Sequence, residues 1–64
     1  MRFVEIRNRE GTRIRIQPER VIQMVQIGDD NGVYTILHLG AGYQIQVPGD
    51  MDMVERILFG RDRM

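Results

Sequence analysis

The stretch VEIRNREGTRIRI, residues 4–16, decides how this chain is built. Val4, Ile6, Ile14 and Ile16 alternate with polar, mostly charged residues, which is the period of a half-buried strand. Folding the segment about Arg9-Glu10-Gly11 sets Ile6 opposite Ile14 and Val4 opposite Ile16, so the four aliphatic side chains share one face. Asn8 then closes against Thr12, and Gly11 stands where such a loop needs a left-handed residue. The opposite face follows from the pleat: Phe3, Glu5, Arg7, Arg13, Arg15 and Gln17. Glu5 falls opposite Arg15, which is mildly favourable. Arg7 falls opposite Arg13, which is unfavourable unless an anion or a partner carboxylate intervenes.

The same construction returns further on. VYTILHL (33–39) and YQIQV (43–47) flank Gly40-Ala41-Gly42, with Gly42 in the place Gly11 held. This reading sets Leu39 opposite Tyr43, Leu37 opposite Ile45 and Thr35 opposite Val47 on the inner side, and leaves Tyr34, Ile36, His38, Gln44 and Gln46 outside. Between the hairpins, Pro18 suits a first helical turn, and a short strand from about Gln23 to Ile27 follows. Asp29-Asp30-Asn31-Gly32 is a turn by composition. At the end, Asp50 is a good helix N-cap and Asp52 sits in the first turn, where the helix dipole favours it. Met51, Val54, Ile57 and Leu58 form an apolar stripe at helical spacing, and Gly60 terminates it. The expected fold is α+β: a small antiparallel sheet of two β-hairpins plus a short extra strand, with one C-terminal α-helix. Residues 1–60 are read as a single domain and residues 61–64 as a frayed tail.

Length and composition bound the rest. At 64 residues the chain is one domain at most, and a fold of this size buries only about 60% of the surface its unfolded chain exposes. Apolar burial on the order of 100 kcal/mol is matched by an ordering cost of about 1.5 kcal/mol per residue. Small domains so placed usually add disulfides, a metal or a partner chain. Cysteine is absent and His38 is the only histidine, which removes disulfides and the usual zinc ligands. Self-association remains, so a homo-oligomer is expected.

Charge is unevenly spread. Residues 1–20 carry six Arg against three Glu, a net +3, whereas residues 21–60 carry Arg56 against five acidic side chains, a net −4. Such a dipolar chain suits docking against its own copies, or a small anionic ligand held locally. A nucleic-acid module usually has a clear basic excess. The opening MRFVEIRNRE lacks an apolar signal region and no stretch reaches the roughly 18 apolar residues of a membrane span, so a cytoplasmic protein without membrane insertion is expected.

Catalytic groups are scarce. The chain has no Ser, Cys or Lys, the usual nucleophiles and Schiff-base formers. Asp50 and Asp52 are explained by helix capping, and Asp29-Asp30 lacks the spaced oxygen ligands of a calcium loop. Gly40-Ala41-Gly42 is not followed by the helix that phosphate-cradling loops require. Neither an enzyme nor a cofactor or metal site is expected. The leading expectation is a homo-oligomeric binding or regulatory protein acting by protein–protein contact, with Phe3, Ile36, Met51 and Leu58 in the subunit interface. The alternative is an oligomeric sponge, for example phage-encoded, that sequesters an anionic nucleotide-type ligand. There Arg7, Arg13 and Arg15 would hold phosphate, with Tyr34, His38 and Gln44 near a base. A small RNA-binding module is a further alternative, although aromatic platforms for base stacking are few.

IRIQPERVIQMV (14–25), TILHLGAGYQIQV (35–47) and DMVERIL (52–58) resemble the flagellar FlbD family of very small bacterial proteins. The similarity runs from Met1 to Leu58, through an opening strand, a Pro-containing segment, a threonine-aliphatic strand, a Gly turn, another strand and a final helix. The chain departs from the family pattern at Gln17, in the length of its Asp29–Gly32 turn, and at Tyr43, where the family carries a basic residue. The resemblance implies a cytoplasmic, non-enzymatic protein tied to flagellar motility, with no catalytic motif to carry over.

Overall fold

The computed structural model describes residues 2–60; the expected tail at 61–64 lies outside the described residues. Strands β1 (Val4–Arg7) and β2 (Arg13–Ile16) lead into a 3-10 turn at Pro18–Arg20. Strands β3 (Gln23–Asp29), β4 (Gly32–Gly40) and β5 (Tyr43–Pro48) follow, and helix α1 (Met51–Phe59) closes the order. The chain is α+β, as the patterning implies. Its strands form two sheets, a two-stranded β1-β2 and a three-stranded β3-β4-β5, all antiparallel. The strand between the hairpins is not short: all seven of its residues pair with β4.

The first hairpin has the register that alternation dictates, Val4 with Ile16, Glu5 with Arg15, Ile6 with Ile14 and Arg7 with Arg13. Asn8 closes it. Its N–H donates to the Thr12 carbonyl (3.1 Å), and its Oδ1 accepts from the N–H groups of Glu10 (3.0 Å) and Thr12 (2.9 Å). Gly11 takes a φ of +87°, which an L side chain adopts at a cost.

In the second hairpin Thr35 pairs with Val47 and Leu37 with Ile45 as expected, but Leu39 does not face Tyr43. Gly40 does, with an irregularity between His38 and Gly40. The turn is the two-residue Ala41-Gly42, with φ of 53° and 80°. Positive φ at both central positions matches the right-handed twist of the flanking strands better than a longer loop. The displaced residue is absorbed as a bulge, and Tyr43 swings out to 72% exposure.

The core lies where the inner faces of both sheets meet the helix. Ile6, Ile16, Leu37, Val47, Val54 and Leu58 are buried there, with Val4, Ile14, Val21, Met24, Leu39 and Ile45 packed around them. Two corrections concern α1. Leu58, expected at a subunit interface, is wholly buried in this core and has no surface to offer a partner. Ile57, expected in the buried stripe, is exposed, because Val54 and Leu58 alone point squarely at the sheet. The helix starts where Asp50 Oδ1 accepts from Met53 N–H (2.8 Å) and Gln26 Oε1 accepts from Met51 N–H (3.1 Å). At its far end Arg2 donates to the Leu58 carbonyl (2.9 Å), a cation at the negative end of the helix dipole.

Candidate functional site

The arginine face of β1-β2 is internally occupied. Glu5 receives two guanidinium groups, Arg13 at 3.1 Å and Arg15 at 3.6 Å. Arg7 donates instead to the Gly11 carbonyl (2.9 Å). The like-charged cross-strand pair is thereby relieved without any external anion: Arg13 leans to a carboxylate and Arg7 to the turn. These groups are well exposed, so each pair contributes little to stability, at most about 1 kcal/mol.

Tyr34, His38 and Gln44, expected to form the base-binding end of a ligand site with Arg7, Arg13 and Arg15, are divided. His38 and Gln44 are cross-strand partners, with Gln23 on the other side of His38. They line a depression of about 390 Å³ together with Tyr43 and Ile22. Tyr34 lies four residues earlier on β4, roughly 13 Å away at the rise of an extended strand.

The cation that Tyr34 meets is Arg9, in the turn of the first hairpin. Arg9 N–H donates to the Gln46 carbonyl (3.0 Å) and its guanidinium to Gln46 Oε1 (3.3 Å). The guanidinium carbon stands 4.0 Å from the centroid of the Tyr34 ring, and a terminal nitrogen lies 3.8 Å from Asp29 Oδ2. One side chain thus reaches from the tip of the first hairpin across β5 to the outer face of the three-stranded sheet. No local pattern marks it, because the contact is made entirely by residues distant in sequence.

Arg15 has a different aromatic neighbourhood. Phe3 and Tyr43, both more than half exposed, line a mainly apolar cleft of about 260 Å³ with Ile16 and Leu39, and Arg15 and Arg20 share its lining. Arg20 is steadied by its Nε donating to Gln17 Oε1 (3.3 Å). Two rings beside two guanidinium groups suit a flat anionic molecule or a partner's acidic segment. Tyr43 borders both this cleft and the His38 depression. The sequence signal was the symmetric Gly40-Ala41-Gly42, which does not say which way the bulge throws Tyr43.

Of the remaining interface candidates, Phe3 is exposed, while Ile36 and Met51 are half-buried. Ile36 belongs to a band of half-buried apolar side chains on the outer sheet face, with Val25, Ile27 and Tyr34 beside it. Among the described residues no three His, Cys, Asp or Glu side chains converge as metal ligands would, and no helix is long and apolar enough to cross a membrane. No protein-family model, curated protein or solved structure matches the chain.

Proposed function

We propose that this chain is a non-enzymatic binding or regulatory protein that works by protein–protein contact as a homo-oligomer. The observation carrying this reading is a balance of apolar groups. Among the described residues, six apolar side chains form the buried core, while seven large ones stay at least 40% exposed: Phe3, Ile22, Val33, Tyr43, Met53, Ile57 and Phe59. Scattered exposed hydrophobes are ordinary, but here they match the core in number. Covering them is the cheapest stabilisation open to a fold with so little interior. The resemblance to the FlbD family adds a cytoplasmic, motility-linked setting. The expected result is a solution mass above one subunit by native mass spectrometry or sedimentation. A monomer at every concentration, melting cooperatively at high temperature, would remove the physical motive.

The Phe3–Tyr43 cleft favours a second reading, a sponge for an anionic nucleotide-type ligand. It would sit there rather than at Tyr34, with Arg15 and Arg20 as phosphate partners. Thermal stabilisation by linear or cyclic nucleotides, lost in Arg15→Ala and in Tyr43→Ala, is the expected result on that reading. No shift with any nucleotide leaves protein contact as the function.

A further inference from the structure

The two edges of the three-stranded sheet are treated differently. At the β5 edge, the Gln46 carbonyl is taken by Arg9 N–H (3.0 Å), and Pro48 has no N–H to offer. Both are devices that discourage a further strand from adding. At the β3 edge nothing comparable is found among the described residues. β3 runs for seven residues with an unbroken register against β4 and contains neither Pro, Lys nor Arg. Only Asp29, at its end, is charged.

The direction of its peptide groups follows from bonds on either side. Ile22 N–H donates to the His38 carbonyl (2.9 Å) and Gly49 N–H to the Val33 carbonyl (3.0 Å). Even-numbered residues of β4 from Tyr34 to His38 therefore address β3, and odd-numbered ones address β5. By the alternation of an antiparallel ladder, Gln23, Val25 and Ile27 spend their peptide groups on β4. Those of Met24, Gln26 and Gly28 point outward, a row of donors and acceptors with no partner among the described residues.

We infer that a second copy of this chain occupies that edge, joining two three-stranded sheets into one six-stranded antiparallel sheet through β3 and its two-fold mate. The inference rests on the self-association reading above and adds a main-chain interface at the β3 edge, separate from the exposed side chains counted there. The strand is self-complementary about Gln26. That register sets Gln26 opposite its own copy, Met24 opposite Gly28, Val25 opposite Ile27 and Gln23 opposite Asp29. All seven residues pair, no like charges face each other, and an amide meets the only carboxylate. Val25 and Ile27 are on the outer face beside Ile36 and Tyr34, so the apolar band runs unbroken across the junction. Strand addition of this kind draws affinity from main-chain hydrogen bonds. A seven-residue edge buries less than the roughly 1,200 Å² of a standard interface, so the dimer forms at micromolar concentrations or above.

Gln26→Glu tests it. The new carboxylate still accepts from Met51 N–H and suits the helix N-terminus, so the subunit keeps its fold. In the dimer it puts two like charges opposite each other at the two-fold axis. The dimer dissociation constant should rise roughly tenfold or more at low salt and recover partly at high salt. In the unaltered protein, amide exchange at Met24, Gln26 and Gly28 should slow as concentration rises from about 10 μM to about 1 mM, which keeps the test decisive should the variant fail to fold. An oligomer whose three edge amides exchange fast at all concentrations, or whose affinity ignores Gln26→Glu, overturns the β3 interface and leaves self-association standing. A monomer throughout overturns both.

Discussion

Leu37→Ala is expected to cost about 2–5 kcal/mol of stability, the range for emptying a fully buried leucine site. A chain of 64 residues has roughly 3–10 kcal/mol in total at about 0.05–0.15 kcal/mol per residue, so the substitution removes at least about a fifth of the total stability. The site earns the prediction by position. Leu37 sits on the central strand, is wholly inaccessible, and belongs to the cluster joining both sheets to α1. Core residues on β1, β2, β5 and α1 would have to shift together to refill the space, and close-packed interiors relax only partly. In a thermal melt followed by circular dichroism, the midpoint should fall by roughly 10–40 °C at about 4–8 °C per kcal/mol, at matched protein concentration because self-association adds to stability. Ile22→Ala, at a side chain that is 71% exposed, should by contrast move it little in dilute solution, where the subunits are apart. A Leu37→Ala protein melting within a few degrees of the parent would place the core elsewhere.

The second large effect is expected at Gly49, where three constraints coincide. Its φ is +109°, its N–H is held by the Val33 carbonyl, and its own carbonyl accepts from the hydroxyl of Thr35 (2.9 Å). Thr35 is fully buried, so rotating the peptide away would strand a hydroxyl in the interior. A methyl group added here would also fall on the end of the Met53 side chain. Gly→Ala changes at permissive sites stabilise by restricting the unfolded chain. Gly49→Ala should do the opposite, losing about 1–3 kcal/mol to backbone strain alone. Met53 is partly exposed and flexible, so Gly49→Ala combined with Met53→Ala should recover only the steric part. Urea titrations of the single and double variants separate the two contributions, and a neutral Gly49→Ala would contradict the strained connection between β5 and α1.

Where alternation left one solution, the sequence was enough. In residues 4–16, aliphatic and polar positions alternate around a single glycine, and only one register buries Val4, Ile6, Ile14 and Ile16 together; the structure adopts it. Around residues 40–42 glycine stands on both sides of Ala41, so a three-residue loop and a two-residue turn with a bulge fit equally well on paper. Backbone twist, a tertiary quantity, chooses the second and turns Tyr43 outward. β3 shows no clean period because both of its faces are partly covered: Met24 inward, Val25 and Ile27 outward. On the helix, Ile57 and Leu58 look equivalent in a stripe, yet the contact surface is narrower than the stripe. The candidate ligand set was the least legible part. Which arginine meets which ring depends on how the first hairpin is laid on the sheet, and Arg9 meets Tyr34 only after that docking.

Among the described residues every ladder joins strands adjacent in the chain, and no ladder joins β1-β2 to β3-β4-β5. Hairpins with such short loops close within microseconds, well before the two halves meet. The slow event in folding should therefore be their docking through Ile6, Ile16 and the Arg9 clasp. By the same reasoning the arginine-rich hairpin is the first unit to come loose, a separable foldon whose release would uncover the Tyr34 ring while the three-stranded sheet stays intact.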